Sequence, residues 1–330
     1  MRSLGKYYIL LSLFVSVLYS KDLWVDYAHD YASQQVLNLA EYSDKTVFRW
    51  LDGNESTCQV SCERTKKKNV DSFFQSSKYL EETDDTFIRV RFDTELQSRE
   101  KDDLKVKFSV QFPFSRCKKH FKFFMENLSS NKKAEISKNK EKIKKPEVGF
   151  SYLGSDDFKL KSKYSVGVSE FFPFLRARYH RPWNIGNWTI DPVQTFKYSK
   201  KYRFEEKTDI YFDIHPAPNN MFRFSAHRKT KEEYKGMDYE FTFQYYFSGK
   251  KDMGLRLSQS FSGNTEYIKL NKNRYKGVND YRTSFSYRAT ILRKWFYYEI
   301  SPSVNFYEKN EYRANYALRF FLDFYFGIQN

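Results

Sequence analysis

Residues 88–97 read IRVRFDTELQ, so that apolar side chains alternate with charged or polar ones at every second position. Successive side chains of a β-strand point to opposite faces, and this period of two therefore predicts a strand with one apolar face. The same alternation recurs through the rest of the chain, most clearly in residues 318–326, which read LRFFLDFYF. The pattern predicts an all-β fold of antiparallel strands.

Fourteen segments carry this alternation, although the third and the sixth do so less regularly, which leaves 12 strands as the alternative count. Most are longer than the roughly 5 to 6 residues usual in soluble sheets and match the roughly 9 to 11 residues that cross a bilayer at a tilt. Their lengths favour a transmembrane β-barrel over a soluble sandwich. The predicted strands are 84–97, 103–113, 120–128, 146–154, 157–169, 171–181, 187–200, 202–215, 219–230, 236–248, 252–263, 279–292, 294–308 and 311–326.

The composition agrees with a barrel and excludes a bundle of membrane-spanning helices. Aromatic residues make up 20% of the 330 residues, whereas hydrophobic residues make up only 40% and the mean hydropathy is −0.76. Lipid-facing and lumen-facing side chains alternate in a barrel and cancel in an averaged hydropathy. After the first 20 residues no apolar run approaches the roughly 20 residues of a spanning helix, so a membrane form of this chain must cross with strands.

The N-terminal 80 residues differ from the predicted barrel. Arg2 and Lys6 precede an apolar run over 8–18, which predicts a signal peptide, residues 1–20, cleaved near Ser20. In residues 21–80, apolar side chains recur at spacings of three and four and predict an amphipathic helix followed by a loop. This periplasmic segment is expected either to pack on the barrel mouth or to enter the barrel as a plug. Residues 81–330 form the predicted barrel.

Lysine and arginine outnumber the acidic residues by 57 to 41, and removing Arg2 and Lys6 leaves 55 against 41, or +14. Such an excess usually indicates nucleic acid as a partner. An exported protein meets lipopolysaccharide phosphates instead, so no nucleic-acid partner is expected. The loop 129–145 is predicted to bind such anions. Its seven lysines are Lys132, Lys133, Lys138, Lys140, Lys142, Lys144 and Lys145.

The lengths of the connections orient the predicted barrel. An even number of strands places both chain ends on the periplasmic side, with short turns there and longer loops outside. On this count the inner turns are all short, and the two longest connections, 129–145 and 264–278, are outer loops. Trp183, Trp188 and Trp295 fall at the inner turns, where an interfacial aromatic girdle would lie.

From about residue 84 to residue 326 the chain resembles outer-membrane β-barrel proteins of Gram-negative bacteria. The resemblance rests on the alternation and on residues 316–326, which look like the aromatic C-terminal strand that such proteins present to their assembly machinery. Here GIQN follows Phe326, whereas the family usually ends on the aromatic residue itself. The resemblance implies an outer-membrane location, contact with outer-membrane lipid and lipopolysaccharide, and insertion by the barrel-assembly machinery.

Two classes of barrel enzyme offer a comparison for catalysis. Barrels resembling outer-membrane phospholipase carry a His followed two residues later by a Ser nucleophile, and no histidine in the predicted strands has that neighbour. Omptin-like proteases carry Asp-x-His and a facing acidic pair, a pattern matched by Asp213 and His215 with Asp84 and Asp85. Because Asp213 and His215 adjoin prolines at a predicted inner turn, whereas those proteases work at the outer rim, an outer-membrane hydrolase is only the alternative function.

The polar faces of the predicted strands carry a surplus of basic residues that point into the lumen. The preferred function is therefore a non-enzymatic barrel. It is either porin-like, with a cationic and anion-preferring lumen, or a structural envelope protein whose charges pair and fill a closed interior. The predicted lumen cations are Arg89, Arg91, Lys105, Lys107, Lys159, Lys161, Lys163, Arg282, Arg288 and Arg319.

The chain contains three cysteines, Cys58, Cys62 and Cys117. Export favours a disulfide, and Cys58 with Cys62 is one candidate pair, although the odd thiol leaves the assignment open. No His or further Cys lies nearby at the spacing of a zinc finger. Neither a metal nor a cofactor is expected.

Overall fold

The structure is a computed structural model that describes most of the chain from residue 23 to residue 327. The predicted signal peptide, all three cysteines, the lysine loop, Lys159 and Asp84 lie outside the described residues. The described ranges are 23–52, 70–74, 76–82, 85–100, 102–114, 121–126, 147–154, 160–169, 171–200, 203–232, 236–249, 252–268, 274–291 and 293–327.

Fifteen strands, three α-helices and one short 3-10 helix (Glu308–Asn310) make up the described structure. The helices are α1 (Leu23–Asp52), α2 (Val70–Phe74) and α3 (Ser77–Glu82). The strands are β1 (Phe87–Gln97), β2 (Asp103–Phe114), β3 (Phe121–Glu126), β4 (Glu147–Leu153), β5 (Lys161–Ser169), β6 (Phe172–His180), β7 (Trp183–Ile185), β8 (Trp188–Ser199), β9 (Arg203–Ala217), β10 (Asn220–Lys231), β11 (Asp238–Ser248), β12 (Met253–Ile268), β13 (Arg274–Ile291), β14 (Arg293–Tyr307) and β15 (Ala314–Phe326).

Fourteen of these strands close into one antiparallel barrel. Each strand pairs with its neighbour in the chain, β6 pairs directly with β8, and the first strand β1 pairs with the last strand β15. The short β7 pairs only with β8 and is an addition to the ring. The predicted 14-strand barrel is confirmed, and it includes the two strands, β3 and β6, whose alternation is least regular.

The barrel has two distinguishable ends. The proximal end holds the start of β1, the end of β15 and the short connections 181–187, 218–219 and 249–252. The distal end holds the connections 98–102 and 308–313. The three tryptophans expected at inner turns lie at the proximal end, since Trp183 begins β7, Trp188 begins β8 and Trp295 is the third residue of β14.

The two faces of the wall differ as the alternation predicts. Outward side chains are apolar and exposed, as in β2, where Leu104 is 58% and Phe108 is 45% exposed. Many inward side chains are polar or charged and buried, as in Arg288 and Asp323, which are both 0% exposed, and they share the interior with aromatic residues such as Phe321 and Tyr325. This is the reverse of a soluble protein, in which apolar groups fill the interior.

Helix α1 packs on the proximal end of the barrel. The ring of His29 stacks on Trp295 at a centroid distance of 4.1 Å, and its Nε2–H donates a hydrogen bond of 2.8 Å to the carbonyl oxygen of Tyr325. Asp26 forms an ion pair with Arg293 at the start of β14. None of the helices in the described ranges is both long and apolar enough to cross a membrane.

Candidate functional site: the lumen and its proximal mouth

The predicted lumen cations on described strands occupy inward positions. Their side chains lie on the same face of the wall as the buried acidic residues. Most of these cations form ion pairs with acidic residues. Sequence predicts which face these residues occupy but not which partners they contact. The residues concerned are Arg89 and Arg91 on β1, Lys105 and Lys107 on β2, Lys161 and Lys163 on β5, Arg282 and Arg288 on β13, and Arg319 on β15.

A buried network on β1 and β12–β15 is centred on Asp323. Arg91 contacts both of its carboxylate oxygens, with Nε–Oδ1 at 2.5 Å and Nη2–Oδ2 at 2.7 Å. Nη1 of Arg288 lies 2.7 Å from Oδ2 of Asp323 and 3.5 Å from Glu299. Arg256 extends the network by donating to Glu299 at 2.7 Å. We call these five residues the wall network. Paired geometry of this kind offsets the large cost of burying each charge alone.

Neighbouring lumen cations are held in the same manner. Asp93 accepts two hydrogen bonds from Arg319, at 2.8 Å and 2.6 Å, and one from Lys107. Arg282 donates to the hydroxyl of Ser303 at 3.1 Å and lies 3.6 Å from Glu95. Each guanidinium therefore lies beside an acid or hydroxyl of the wall.

These ion pairs run along the wall of the barrel. The partners are on adjacent strands in the pairs Arg91–Asp323 and Arg319–Asp93, two strands apart in Arg256–Glu299, and three apart in Arg282–Glu95. Opposite sides of a 14-strand ring are seven strands apart. These ion pairs therefore join strands on one side of the barrel and do not span it.

The β4–β8 side of the wall has a smaller network around Glu147. Its carboxylate lies 2.6 Å from Lys197 and 3.4 Å from Arg176. The guanidinium of Arg176 also lies between the rings of Phe124 and Phe174, at 5.2 Å and 5.5 Å from their centroids. Aromatic faces attract cations, and these rings therefore help to hold Arg176 in place.

Residues 70–74 and 76–82, which we call the mouth segment, lie inside the proximal end and contact inward-facing side chains. Arg223 of β10 joins this segment to the wall. It donates to both oxygens of Asp71, at 3.0 Å and 3.1 Å, and to both oxygens of Asp213, at 2.6 Å and 2.8 Å. One guanidinium is thus shared between a carboxylate of the mouth segment and a carboxylate of the wall.

The mouth segment also contacts strands on other sides of the proximal opening. Nζ of Lys78 lies 3.0 Å from Asp191 on β8 and 3.3 Å from Asp213 on β9. Phe73 contacts the ring of Tyr297 on β14, and Glu82 lies 3.6 Å from Arg178 on β6. Strands β14 and β6 are seven positions apart in the ring. The mouth segment therefore reaches opposite sides of the barrel and narrows its proximal opening.

Apolar packing supports the mouth segment as well. Val70 and Phe74 form a buried cluster with Met221 and Tyr246 of the wall. Gly254 of β12 makes room for it, because a Cβ atom there would lie 2.6 Å from Phe73 and 2.7 Å from Phe74. Any other residue at 254 would push the two rings away from the wall. Two locations were expected for the N-terminal part. Helix α1 packs on the outside of the barrel mouth, whereas the mouth segment lies inside the barrel, where a plug would lie.

Glu82 is the titratable group of the mouth segment with a perturbed pKa. Desolvation of its carboxyl group by the surrounding protein raises the pKa, while Lys78 and Arg178 act in the opposite direction. The desolvation is the larger effect. The carboxyl group of Glu82 is therefore easier to protonate than one in open water.

The described residues of the hydrolase alternative, Asp85, Asp213 and His215, are not assembled into a site. Both oxygens of Asp213 are occupied by Arg223 and Lys78, and His215 is exposed next to Pro216. Within the described ranges, no hydrogen bond joins Asp213 to His215. Asp85 accepts a hydrogen bond from the hydroxyl of Tyr79 at 3.1 Å. The Asp-x-His pattern at 213–215 thus contributes its acid to anchoring the mouth segment.

Four charged residues of these networks were not predicted from the sequence. Asp71 and Lys78 lie in a stretch without strand alternation, and Arg223 and Arg256 follow the alternation but were not singled out. The alternation in β10 and β12 places these two arginines on the polar, inward face, and this pattern could have identified them. No sequence signal marks Asp71 and Lys78, because their partners lie 152 and 135 residues away in the chain.

No protein-family model matches the chain, and no curated protein matches it in sequence. Solved structures do match its fold. The loop-deleted outer membrane protein OmpT of Vibrio cholerae is 5% identical, with 73% of this chain and 98% of that chain covered and a TM-score of 0.43. OpdK of Pseudomonas aeruginosa, solved with vanillate, is 7% identical, with 73% and 97% covered and a TM-score of 0.42. The KdgM porin is 7% identical, with 72% and 98% covered and a TM-score of 0.34. The chain is similar to these outer-membrane proteins, and its own strand pairing independently establishes that it is a closed β-barrel.

Proposed function

We propose that this protein is an outer-membrane channel that passes small anionic solutes through a lumen lined with arginine and lysine. One observation carries the proposal. The cations of the wall network and their neighbours pair with acids at most three strands away, so these ion pairs do not bridge opposite sides of the barrel. A closed structural barrel would instead be filled by side chains that meet in its centre.

The outer surface supports a membrane location. Outward residues Phe241, Phe243 and Tyr245 of β11 are each 43% exposed, and Leu104 and Phe108 of β2 are exposed on another part of the barrel. An exposed apolar surface on several parts of the barrel is unfavourable in water and is typical of a protein that lies in lipid. The proposal places the proximal end on the periplasmic side, after export through a signal peptide cleaved near Ser20.

The outer-membrane location also implies two further partners, lipopolysaccharide and the barrel-assembly machinery. The lysines of loop 129–145 would lie on the distal side and contact lipopolysaccharide phosphates, since clustered ammonium groups attract polyanions. The barrel-assembly machinery would recognise the C-terminal strand β15. Both proposals follow from the outer-membrane orientation.

Planar-bilayer recording tests the channel. We expect purified, refolded protein to give discrete conductance steps and, in a salt gradient, a reversal potential that indicates preference for anions. Replacement of a lumen cation by Arg282→Gln should move the reversal potential toward cation permeation. The matched control is Arg228→Gln, because Arg228 faces outward on the neighbouring part of the barrel and pairs with Glu206. Absence of conductance steps, or equal shifts in both variants, would contradict the proposal.

A further inference from the structure

The proximal mouth brings together three metal-ligating side chains from three different elements. Glu82 belongs to α3, His180 ends β6 and Asp191 lies near the start of β8. One ligand atom from each lies within 4.8 Å of the other two, and the described ranges hold no other such group of three. We propose that these residues form a binding site for a divalent transition-metal ion, best suited to Zn²⁺, which links the mouth segment to the barrel wall.

The donor set determines the class of ion. One imidazole with two carboxylates suits zinc, which accepts nitrogen and oxygen ligands in a four-coordinate site and can complete its shell with water. Calcium and magnesium prefer shells made entirely of oxygen and are disfavoured by His180. Zinc ligands lie about 2.0 to 2.2 Å from the ion, so the group must contract by a small movement of its side chains. Glu82 can make that movement, because it lies at the exposed end of α3.

The site already holds its histidine in place and is accessible. Nδ1 of His180 lies 3.4 Å from Oδ1 of Asp191, and this contact orients the ring between β6 and β8. Glu82 is exposed at the rim of the mouth, so an ion can enter from the aqueous side without opening the barrel. The ion would exchange with solvent more readily than one enclosed among the wall residues.

Lys78 competes with the ion. Its ammonium group lies 3.0 Å from Oδ2 of Asp191 and has a second acceptor, Asp213, at 3.3 Å. On metal binding Lys78 can give up Asp191 and keep Asp213, so its charge stays paired. The competition gives a directional test, since removal of Lys78 should strengthen metal binding while removal of a ligand should weaken it.

No metal site was expected from the sequence, because no histidine or further cysteine lies near Cys58 and Cys62 at zinc-finger spacing. His180 and Asp191 are 11 residues apart on the directly paired strands β6 and β8, whereas Glu82 lies 98 residues (180 − 82) before His180. The site therefore depends on the position of α3 inside the barrel mouth, which local spacing does not reveal.

Zinc titration of the refolded full-length protein tests the proposal. The three cysteines are blocked beforehand so that thiols do not bind the ion, and folding is verified by heat-modifiable gel migration. Calorimetry should show one saturable site in the wild type, binding at least tenfold weaker in His180→Gln, and binding severalfold tighter in Lys78→Gln. His227→Gln is the matched control, because His227 also pairs with a carboxylate, Asp209, on the wall. It should bind zinc as the wild type does.

A second measurement locates the ion. Zinc should slow amide hydrogen exchange in residues 76–82 of the wild type and leave it unchanged in His180→Gln, or in Glu82→Gln if the first variant does not fold. No saturable binding in the wild type, or equal binding by wild type, His180→Gln and Glu82→Gln, overturns the proposal. The titration needs no ion conduction, so its result is independent of the channel function.

Discussion

The wall network and the mouth segment use the same chemistry in two different settings. Asp323 pairs with two arginines on strands whose positions are already set by backbone hydrogen bonds, as in the Arg91–Asp323 register of β1 and β15. Asp71 also pairs with an arginine, Arg223, but belongs to a helix that shares no backbone ladder with the wall. The strands of the barrel wall are held together by backbone hydrogen bonds, and the ion pairs of the wall network add to them. The mouth segment has no such backbone pairing and depends on its ion pairs for attachment.

This difference separates two kinds of mutational effect. Loss of a charge in the wall network leaves buried partner charges without their counter-ion, so the whole barrel should lose stability. Loss of an anchor of the mouth segment lets that segment move into solvent, where its carboxylates are hydrated again. The barrel should then remain intact while its proximal mouth opens.

The largest effect is expected from Asp323→Ala. The substitution leaves Arg91 and Arg288 without their shared carboxylate inside the barrel, which should lower the free energy of unfolding by about 3 to 5 kcal/mol. Urea unfolding in lipid vesicles, followed by heat-modifiable gel migration, measures this loss. Glu311→Ala is the control, because Glu311 and its partner Arg313 are both largely exposed, and it should change the stability by less than about 1 kcal/mol. Equal losses would show that the wall network contributes no more than a surface pair.

A smaller and local effect is expected from Arg223→Ala. The mouth segment loses its hydrogen bonds to a charged group, and its attachment should weaken by about 2 to 3 kcal/mol. Amide exchange in residues 70–74 and 76–82 should accelerate about 30- to 150-fold, and the conductance should rise. The barrel itself should lose less stability than in Asp323→Ala, because Asp213 keeps Lys78 as a partner. Arg228→Ala, on the outward face of the same strand, should leave the exchange unchanged. A mouth segment that stays protected in Arg223→Ala would mean that apolar packing alone holds it.

The smallest effect is expected from Tyr246→Phe. This substitution keeps the ring that packs on Phe74, at 5.1 Å between centroids, and removes only the hydroxyl that donates to Gln244. Barrel stability should fall by about 1 kcal/mol, and exchange in the mouth segment should stay as in the wild type. Faster exchange in this variant would show that the hydroxyl, and not the ring, secures the segment. Tyr246→Leu provides the comparison in which the ring itself is lost.

The strands were predictable because each carries its signal locally. In β1 and β15 the period of two assigns every side chain to the lipid or the lumen, and even the weakly alternating β3 and β6 were placed correctly. The proximal position of the three tryptophans followed from the same count. These features depend on neighbours one or two residues away in the chain, and sequence contains that information directly.

The partners of the lumen charges were not predictable. The alternation places Arg91 and Asp323 on the same face, but they meet only because β1 pairs with β15 across 232 residues of chain. The mouth segment lacks even the alternation, and its helices of five and six residues are too short to carry a periodic signal. Its position inside the barrel depends on Gly254 and Arg223, whose roles no local pattern reveals.

The sequence by itself determined that this chain forms a 14-strand barrel with an apolar exterior and a charged interior, because strand geometry converts alternation into two faces. Only the tertiary structure decided which charges pair, that these ion pairs lie on one side of the barrel, and that residues 70–74 and 76–82 lie inside the proximal mouth. The physical reason is that folding brings residues far apart in the chain into contact, as Arg91 and Asp323 meet where β1 pairs with β15.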